Sequence, residues 1–270
     1  MNRVIILRSL LLIFFSCIFH KVLATGEPAL VMGLGEVKSL QNSSQILFYN
    51  PAIFINSQAT EIGTSFSNDF CIKELSTSHL YGSLGSNLGT FNGGFERFGS
   101  ELFNRNRLVL GYANRWNKLA IGVNFNYLAV HIINCKIGQM VYSQIGTKVF
   151  INEHFTMAFS VANIEQSKIN VEESALTIPT EMLLGLKWSD NKMLTLYFEA
   201  EKSLNCSLIG KFGAEIKAHK IFVCRLGCFG SPLTPTAGFG LMMKRVCLDM
   251  GFNFNSQLGI SSSASLLVSF

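Results

Sequence analysis

Charged residues recur at even spacings inside otherwise apolar segments, and that spacing limits the chemistry they can do. Glu181 and Lys187 lie in TEMLLGLKW, Lys211 and Glu215 in SLIGKFGAEIK, Arg225 in IFVCRLGCF and Asp249 in VCLDMGFNF. Side chains alternate across a strand, so each charge shares the face opposite the fatty one. Buried in an apolar core, such groups would each cost several kcal/mol; on a hydrated or hydrogen-bonded inner surface they are ordinary. The chemistry on offer is ion pairing. Its sharpest instance is Glu215 with Arg225. A three-residue turn at 218–220 would set Lys217 opposite Ile221 and Glu215 opposite Val223, with Arg225 as a diagonal neighbour within reach.

Catalytic arrangements are missing from the sequence. There is no GxSxG elbow, HExxH pair or phosphate loop. His79, His131, His154 and His219 are scattered, three of them at or beside links between segments, and read as solvated. A serine and a histidine cannot be placed together on an outward face at a shared height, so no catalytic residue is assigned. No metal spacing occurs either, and no cofactor is expected. Of the seven cysteines, Cys17 belongs to the leader. Cys224 and Cys228 fall on the fatty side of one segment, where cysteine serves as a small apolar residue. Structural cysteine is preferred over a loop disulfide such as Cys71 to Cys135, which an oxidising compartment would permit; the state of Cys206 is open.

The elements that position these charges are strands. In LAIGVNFNYLAV, residues Leu119 to Ala129 at odd numbers are fatty, while Ala120, Gly122, Asn124 and Asn126 are small or polar. The chain is 49% hydrophobic and only 14% charged, with a mean hydropathy of +0.33. Ordinary soluble domains carry about 25% charged residues. Past the N-terminus no run of ~18 apolar residues appears, which argues against membrane helices. High hydropathy broken by alternating polar residues describes an all-β, transmembrane antiparallel barrel with its fatty face in lipid. About fourteen alternating segments fit between Thr60 and Phe270, an even number in the range of such barrels. Short links such as 116–117 and 190–191 take turns with longer ones such as 98–105, 165–179 and 255–260. Trp116 and Trp188 end strands at short links, where an aromatic girdle belongs.

The ends carry addresses. MNRVIILRSLLLIFFSCIFHKVLA places Arg3 and Arg8 before an apolar run and closes on small residues, a secretory signal peptide cleaved near Ala24. The chain divides into a leader at 1–24, an N-terminal segment at 25–59 and the barrel at 60–270. The terminal SASLLVSF puts Leu266, Val268 and Phe270 on one stripe, resembling the signal that outer-membrane proteins present to the barrel-assembly machinery. The net charge of +5 is spread along the chain, with no basic stripe for nucleic acid.

Phe48, Tyr49, Asn50, Pro51 and Ala52, followed by an apolar pair and a strand, resemble the opening of FadL-type barrels. KFGAEIKAHKIFVCRLGCFGSP and IPTEMLLGLKWS are similar to the strand pairs of their PorV/PorQ-like branch in Bacteroidetes. The resemblance implies an N-terminal luminal plug, with Asn50-Pro51 inside the barrel. It also implies one of two roles. PorV-like members assist type IX secretion, so the first expectation is an accessory or scaffold subunit in protein export or surface assembly. FadL-like members pass hydrophobic molecules, so the alternative is a transporter of small hydrophobic compounds. Outer-membrane lipid, the assembly machinery and another outer-membrane or periplasmic protein are the expected partners. The chain departs from the secretion branch in lacking long outside loops that could grip a cargo.

Overall fold

The computed structural model describes residues 26–55, 59–133, 137–171, 174–204 and 206–270. The signal segment therefore lies outside the described residues. Strands β1 (Thr60–Asn68), β2 (Ser76–Ser86), β3 (Gly89–Gly99), β4 (Phe103–Trp116), β5 (Leu119–Ile132) and β6 (Gly138–Phe150) run as a meander. After β7 (Phe155–Ala162) comes a small hairpin, β8 (Lys168–Val171) and β9 (Ser174–Thr177). The meander resumes with β10 (Glu181–Ser189), β11 (Leu194–Ser203), β12 (Ile209–His219) and β13 (Phe222–Phe229). It ends with β14 (Thr234–Met242), β15 (Val246–Asn255) and β16 (Gly259–Ser269).

All strands but β8 and β9 join one closed antiparallel barrel of fourteen strands. Closure comes from β1 against β16, with Glu61 opposite Ser269 and Asn68 opposite Ser262. Thr60 and Phe270 exchange backbone hydrogen bonds of 3.3 and 2.9 Å at that seam. Closing the sheet removes the unpaired edges that an open sheet would present to lipid.

The period-2 pattern decides which way each face points. Phe125 is 64% exposed, while Ala120, Asn124 and Asn126 on the other side of β5 are fully buried. Phe66, Leu80, Leu110, Val141, Leu184 and Leu226 continue the exposed apolar band around the wall. Replacing Phe125 by Lys near mid-strand should cost about 2–4 kcal/mol in a bilayer, read by urea unfolding in lipid vesicles. No loss would mean that this face meets water.

Residues 26–55 line the inside. They begin with the helical turn α1 (Ala29–Gly33) and include a 3-10 turn at Ser44–Ile46, started by Ser43, whose hydroxyl accepts from Gln45 N. Val31, Ile46, Leu47, Phe48 and Ile53 cluster with the wall residues Tyr81, Val109, Leu183 and Leu267. A segment with so little regular structure can be buried only if its backbone polar groups find other partners. The polar face of the wall supplies them. Ser265 Oγ accepts from Ala29 N at 2.9 Å, and Thr236 Oγ1 from Gly35 N at 2.9 Å. Asn124 Nδ2 donates to Leu47 O at 2.7 Å, and Arg107 Nη2 to Phe48 O at 2.6 Å. Gln144 Nε2 donates to Tyr49 O, and Lys148 Nζ to Gln41 O.

Four local expectations change. The link expected at 98–105 shrinks to 100–102 and that at 255–260 to 256–258, because pairing of β3 with β4 and of β15 with β16 continues to the strand tips. The loop expected at 165–179 instead contains β8 and β9. Between β12 and β13 the turn holds two residues, with a register shift between Lys217 and His219. Glu215 therefore stands directly opposite Arg225, and Lys217 opposite Val223. A bulge plus a shorter turn moves the partners by two positions, which leaves every residue on its expected face.

Candidate functional site

The inward charges form three networks against the N-terminal segment. In the first, Lys211 Nζ lies 2.6 Å from Glu201 and 3.4 Å from Glu199, while Lys38 Nζ lies 3.1 Å from Glu27 and 3.5 Å from Glu201. Glu199 also accepts from the Lys38 and Ser39 backbones and, at 2.5 Å, from the Ser39 hydroxyl. In the second, Arg225 Nε meets Glu215 at 2.9 Å and Arg225 Nη1 meets Asp249 at 2.5 Å. Gln45 Nε2 completes it with a 2.9 Å bond to Asp249. The third joins Arg105 to Glu96 at 2.9 Å, with His79 Nε2 3.7 Å from the same carboxylate and Ser65 Oγ 3.1 Å from His79 Nδ1.

Arg225, Asp249 and Lys211 are thus buried and paired, and Glu215 is held by Arg225. Lys187 and Glu181 are half-buried on the inward parity of β10. Trp116 is exposed and Trp188 half-buried, both near the end that carries the short turns. Leu266 and Phe270 are exposed on the outer side, with Val268 half-buried. Phe48 to Ala52 are buried against the wall. Cys135 lies outside the described residues, and Cys71 is exposed and free.

Reading from parity missed several groups. His79 is buried in the wall rather than solvated. It meets Ser65 because both lie on inward positions and stand directly opposite each other in β1 and β2. Glu199 alternates with Phe198 and Ala200 as Glu215 does with its neighbours, so the same parity argument could have found it; Glu96 and Glu201 each have one charged neighbour, Arg97 and Lys202, which blurs the alternation there.

Between these networks lies a cavity of about 80 Å³. Phe48 and Tyr49 of the N-terminal segment form one boundary, and Ile178 and Pro179 another. Leu128 and Leu183 give it apolar walls. Arg105 and Arg107 enter from β4, and Gln144 and Glu181 from β6 and β10. The Arg107 guanidinium lies 5.6 Å from the ring centroids of both Phe48 and Tyr142. Its hydrogen bonds go to neutral acceptors, Asn126 Oδ1 at 2.8–3.0 Å and Phe48 O at 2.6 Å.

Beside this cavity, Asn163 is tied to Ile178 and Thr180. Asn163 takes a positive φ of 55° and its Nδ2 donates to Ile178 O at 2.7 Å. Thr180 Oγ1 returns a 2.7 Å bond to Asn163 O. Ile169 packs with Leu128, Val130, Met140 and Tyr142. Glu165 reaches the exposed edge of β6, accepting from the Ser143 backbone and hydroxyl. Burial works to raise the Glu165 carboxyl, but hydrogen bonds from its own backbone and from Ser143 outweigh it, holding the group below the usual carboxylate range. Among the described residues no three His, Cys, Asp or Glu side chains stand together as a metal site. The arrangement can hold a small molecule by shape, ring faces and charge.

No family model and no curated protein matches this sequence. Among solved structures, the deltaS2S3 mutant of the TodX monoaromatic hydrocarbon channel aligns with a TM-score of 0.65 and 10% identity, covering 90% of this chain and 98% of that one. The CymD monoaromatic hydrocarbon channel gives 0.62 at 10% identity, covering 91% and 97%. A Pseudomonas aeruginosa FadL homologue gives 0.59 at 11% identity, covering 90% and 97%. The PorV/PorQ-like branch has no counterpart among these three structures. The chain has the fold of FadL-type and other outer-membrane β-barrels.

Proposed function

We propose that the chain resides in a bacterial outer membrane and passes a small, largely apolar molecule through its lumen, with residues 26–55 as the plug. The observation that carries this reading is the cavity between Phe48 and Tyr49 of that segment and Ile178 and Pro179. A concave site that combines apolar walls with placed polar groups can hold a small ligand. The described fold neighbours TodX and CymD are channels for monoaromatic hydrocarbons, which supports transport over the export-scaffold role. Outer-membrane lipid would meet the exposed apolar band, and the assembly machinery would read Leu266, Val268 and Phe270 as the last strand is added.

Uptake of radiolabelled toluene should be measured in a Gram-negative host whose own channels for such compounds are deleted. Its lipopolysaccharide leaflet slows the passive route. Cells expressing the barrel should take toluene up several-fold faster than cells without it. Equal rates, with the barrel confirmed in the outer membrane by heat-modifiable mobility, would overturn the proposal.

A further inference from the structure

Several polar groups of the luminal cavity have capacity left over, although Lys38, which also lines it, is held by Glu27 and Glu201. On β4, Arg107 makes no ion pair with any described carboxylate; its direct contacts are neutral oxygens and ring faces. Arg105 is claimed by Glu96 through Nη2, yet its buried Nε has no acceptor. Across the cavity the unused groups are acceptors. Gln144 is 3% exposed and donates through Nε2, while its buried Oε1 has no partner. The Glu181 carboxylate makes no hydrogen bond or ion pair with a described residue. Lys38 and Lys211, the cations whose fields act on it, are already held by Glu27, Glu199 and Glu201.

These positions follow from register. Gln144 stands opposite Ala162, and Ala162 opposite Glu181, so both acceptors share one height on neighbouring stretches of wall. Arg105 and Arg107 share a face of β4 two residues apart. Buried donors and acceptors left unmatched are costly, and a ligand that matches them recovers that cost.

We propose that this cavity binds a small zwitterion, an α-amino acid with an apolar side chain. The carboxylate meets Arg107 and Arg105 Nε, the ammonium meets Glu181 and Gln144 Oε1, and the side chain lies against Leu128 and Leu183. The volume sets the size. At roughly 10–15 Å³ per water, 80 Å³ takes a molecule replacing about five to eight waters, the scale of valine. This goes beyond the transport reading, since a zwitterion differs in class from the apolar molecule proposed there, and it rests on that reading only for passage, not for binding.

The test is equilibrium dialysis of the purified full barrel in detergent with three labelled ligands that share one branched tail. L-valine carries both charges, isovalerate only the carboxylate and isobutylamine only the ammonium. Valine should bind at least about tenfold more tightly than either, the scale of one charge-assisted hydrogen bond. Arg107→Gln and Glu181→Gln should each weaken valine by about tenfold or more. Glu181→Gln should leave isovalerate unchanged, and Arg107→Gln should leave isobutylamine unchanged. Equal binding of valine and isovalerate, or of valine and isobutylamine, would overturn the zwitterion. So would the absence of binding by all three. The ligand series on the unaltered protein decides the matter even where a variant does not fold. Toluene uptake is read separately, so a valine site without transport and transport without a valine site are distinguishable results.

Discussion

Arg225→Met should lower the unfolding free energy by about 3–5 kcal/mol, the cost of breaking a buried pair from one side. Arg225 is 4% exposed and bridges Glu215 at 2.9 Å and Asp249 at 2.5 Å. Without it, Asp249 keeps, among the described residues, only Gln45 and the weak Cys247 thiol as side-chain donors while remaining 2% exposed. Glu215 faces Arg225 directly across β12 and β13, so the same change also loosens the register lock there. The measurement is urea unfolding in lipid vesicles, followed by the fluorescence of Trp116 and Trp188. Adding Asp249→Asn to Arg225→Met should regain a large part of the loss, because it removes the stranded charge and leaves a hydrogen-bonding group. A loss under about 1 kcal/mol in the single variant would place these charges in water, where such pairs contribute little.

Gly122→Val should expel the Asn50-Pro51 bend from the wall and open the lumen. A Cβ at Gly122 would fall 2.3 Å from Pro51 O and 2.4 Å from Pro51 C. Those are backbone atoms, so the segment itself must shift. Overpacking of this kind costs about 1–3 kcal/mol. The same bend meets Gly146, where a Cβ would lie 2.1 Å from Asn50 Oδ1. Asn50 shapes the bend, donating to Ser39 O at 2.9 Å and accepting from Ala52 N at 2.9 Å. In planar bilayers the unaltered barrel should conduct little, Gly122→Val should conduct intermittently, and a barrel lacking residues 26–55 should conduct steadily. Protease should reach Tyr49 in Gly122→Val and not in the unaltered barrel. Equal conductance in all three, with each barrel shown to be folded by heat-modifiable mobility, would mean that the segment does not obstruct the lumen.

The register at Glu215 separates what sequence can and cannot say. Parity put Glu215 and Arg225 on one inward surface, and both are there. Their direct pairing depends on the irregularity between Lys217 and His219 and a two-residue turn, which alternation does not encode. A bulge leaves the count of faces intact while moving the partner, so local pattern passes over it. The same holds for His79. Its position in STSHLYGSLGS is inward by parity, but the Ser65 partner comes from the neighbouring strand, and the choice between water and burial depends on Phe48 packing 5.3 Å away.

By itself, the sequence determined that this is a barrel of about fourteen alternating strands with fatty residues outside and charges inside. That much follows from local geometry, because the period of two is a property of the extended backbone and is written into every strand separately. Only the tertiary structure decided which wall residue serves which backbone group of residues 26–55, and that Arg107 and Glu181 share one cavity. β4 and β10 lie far apart in the chain, and their side chains meet across the lumen only after every intervening register is set and the sheet closes on itself.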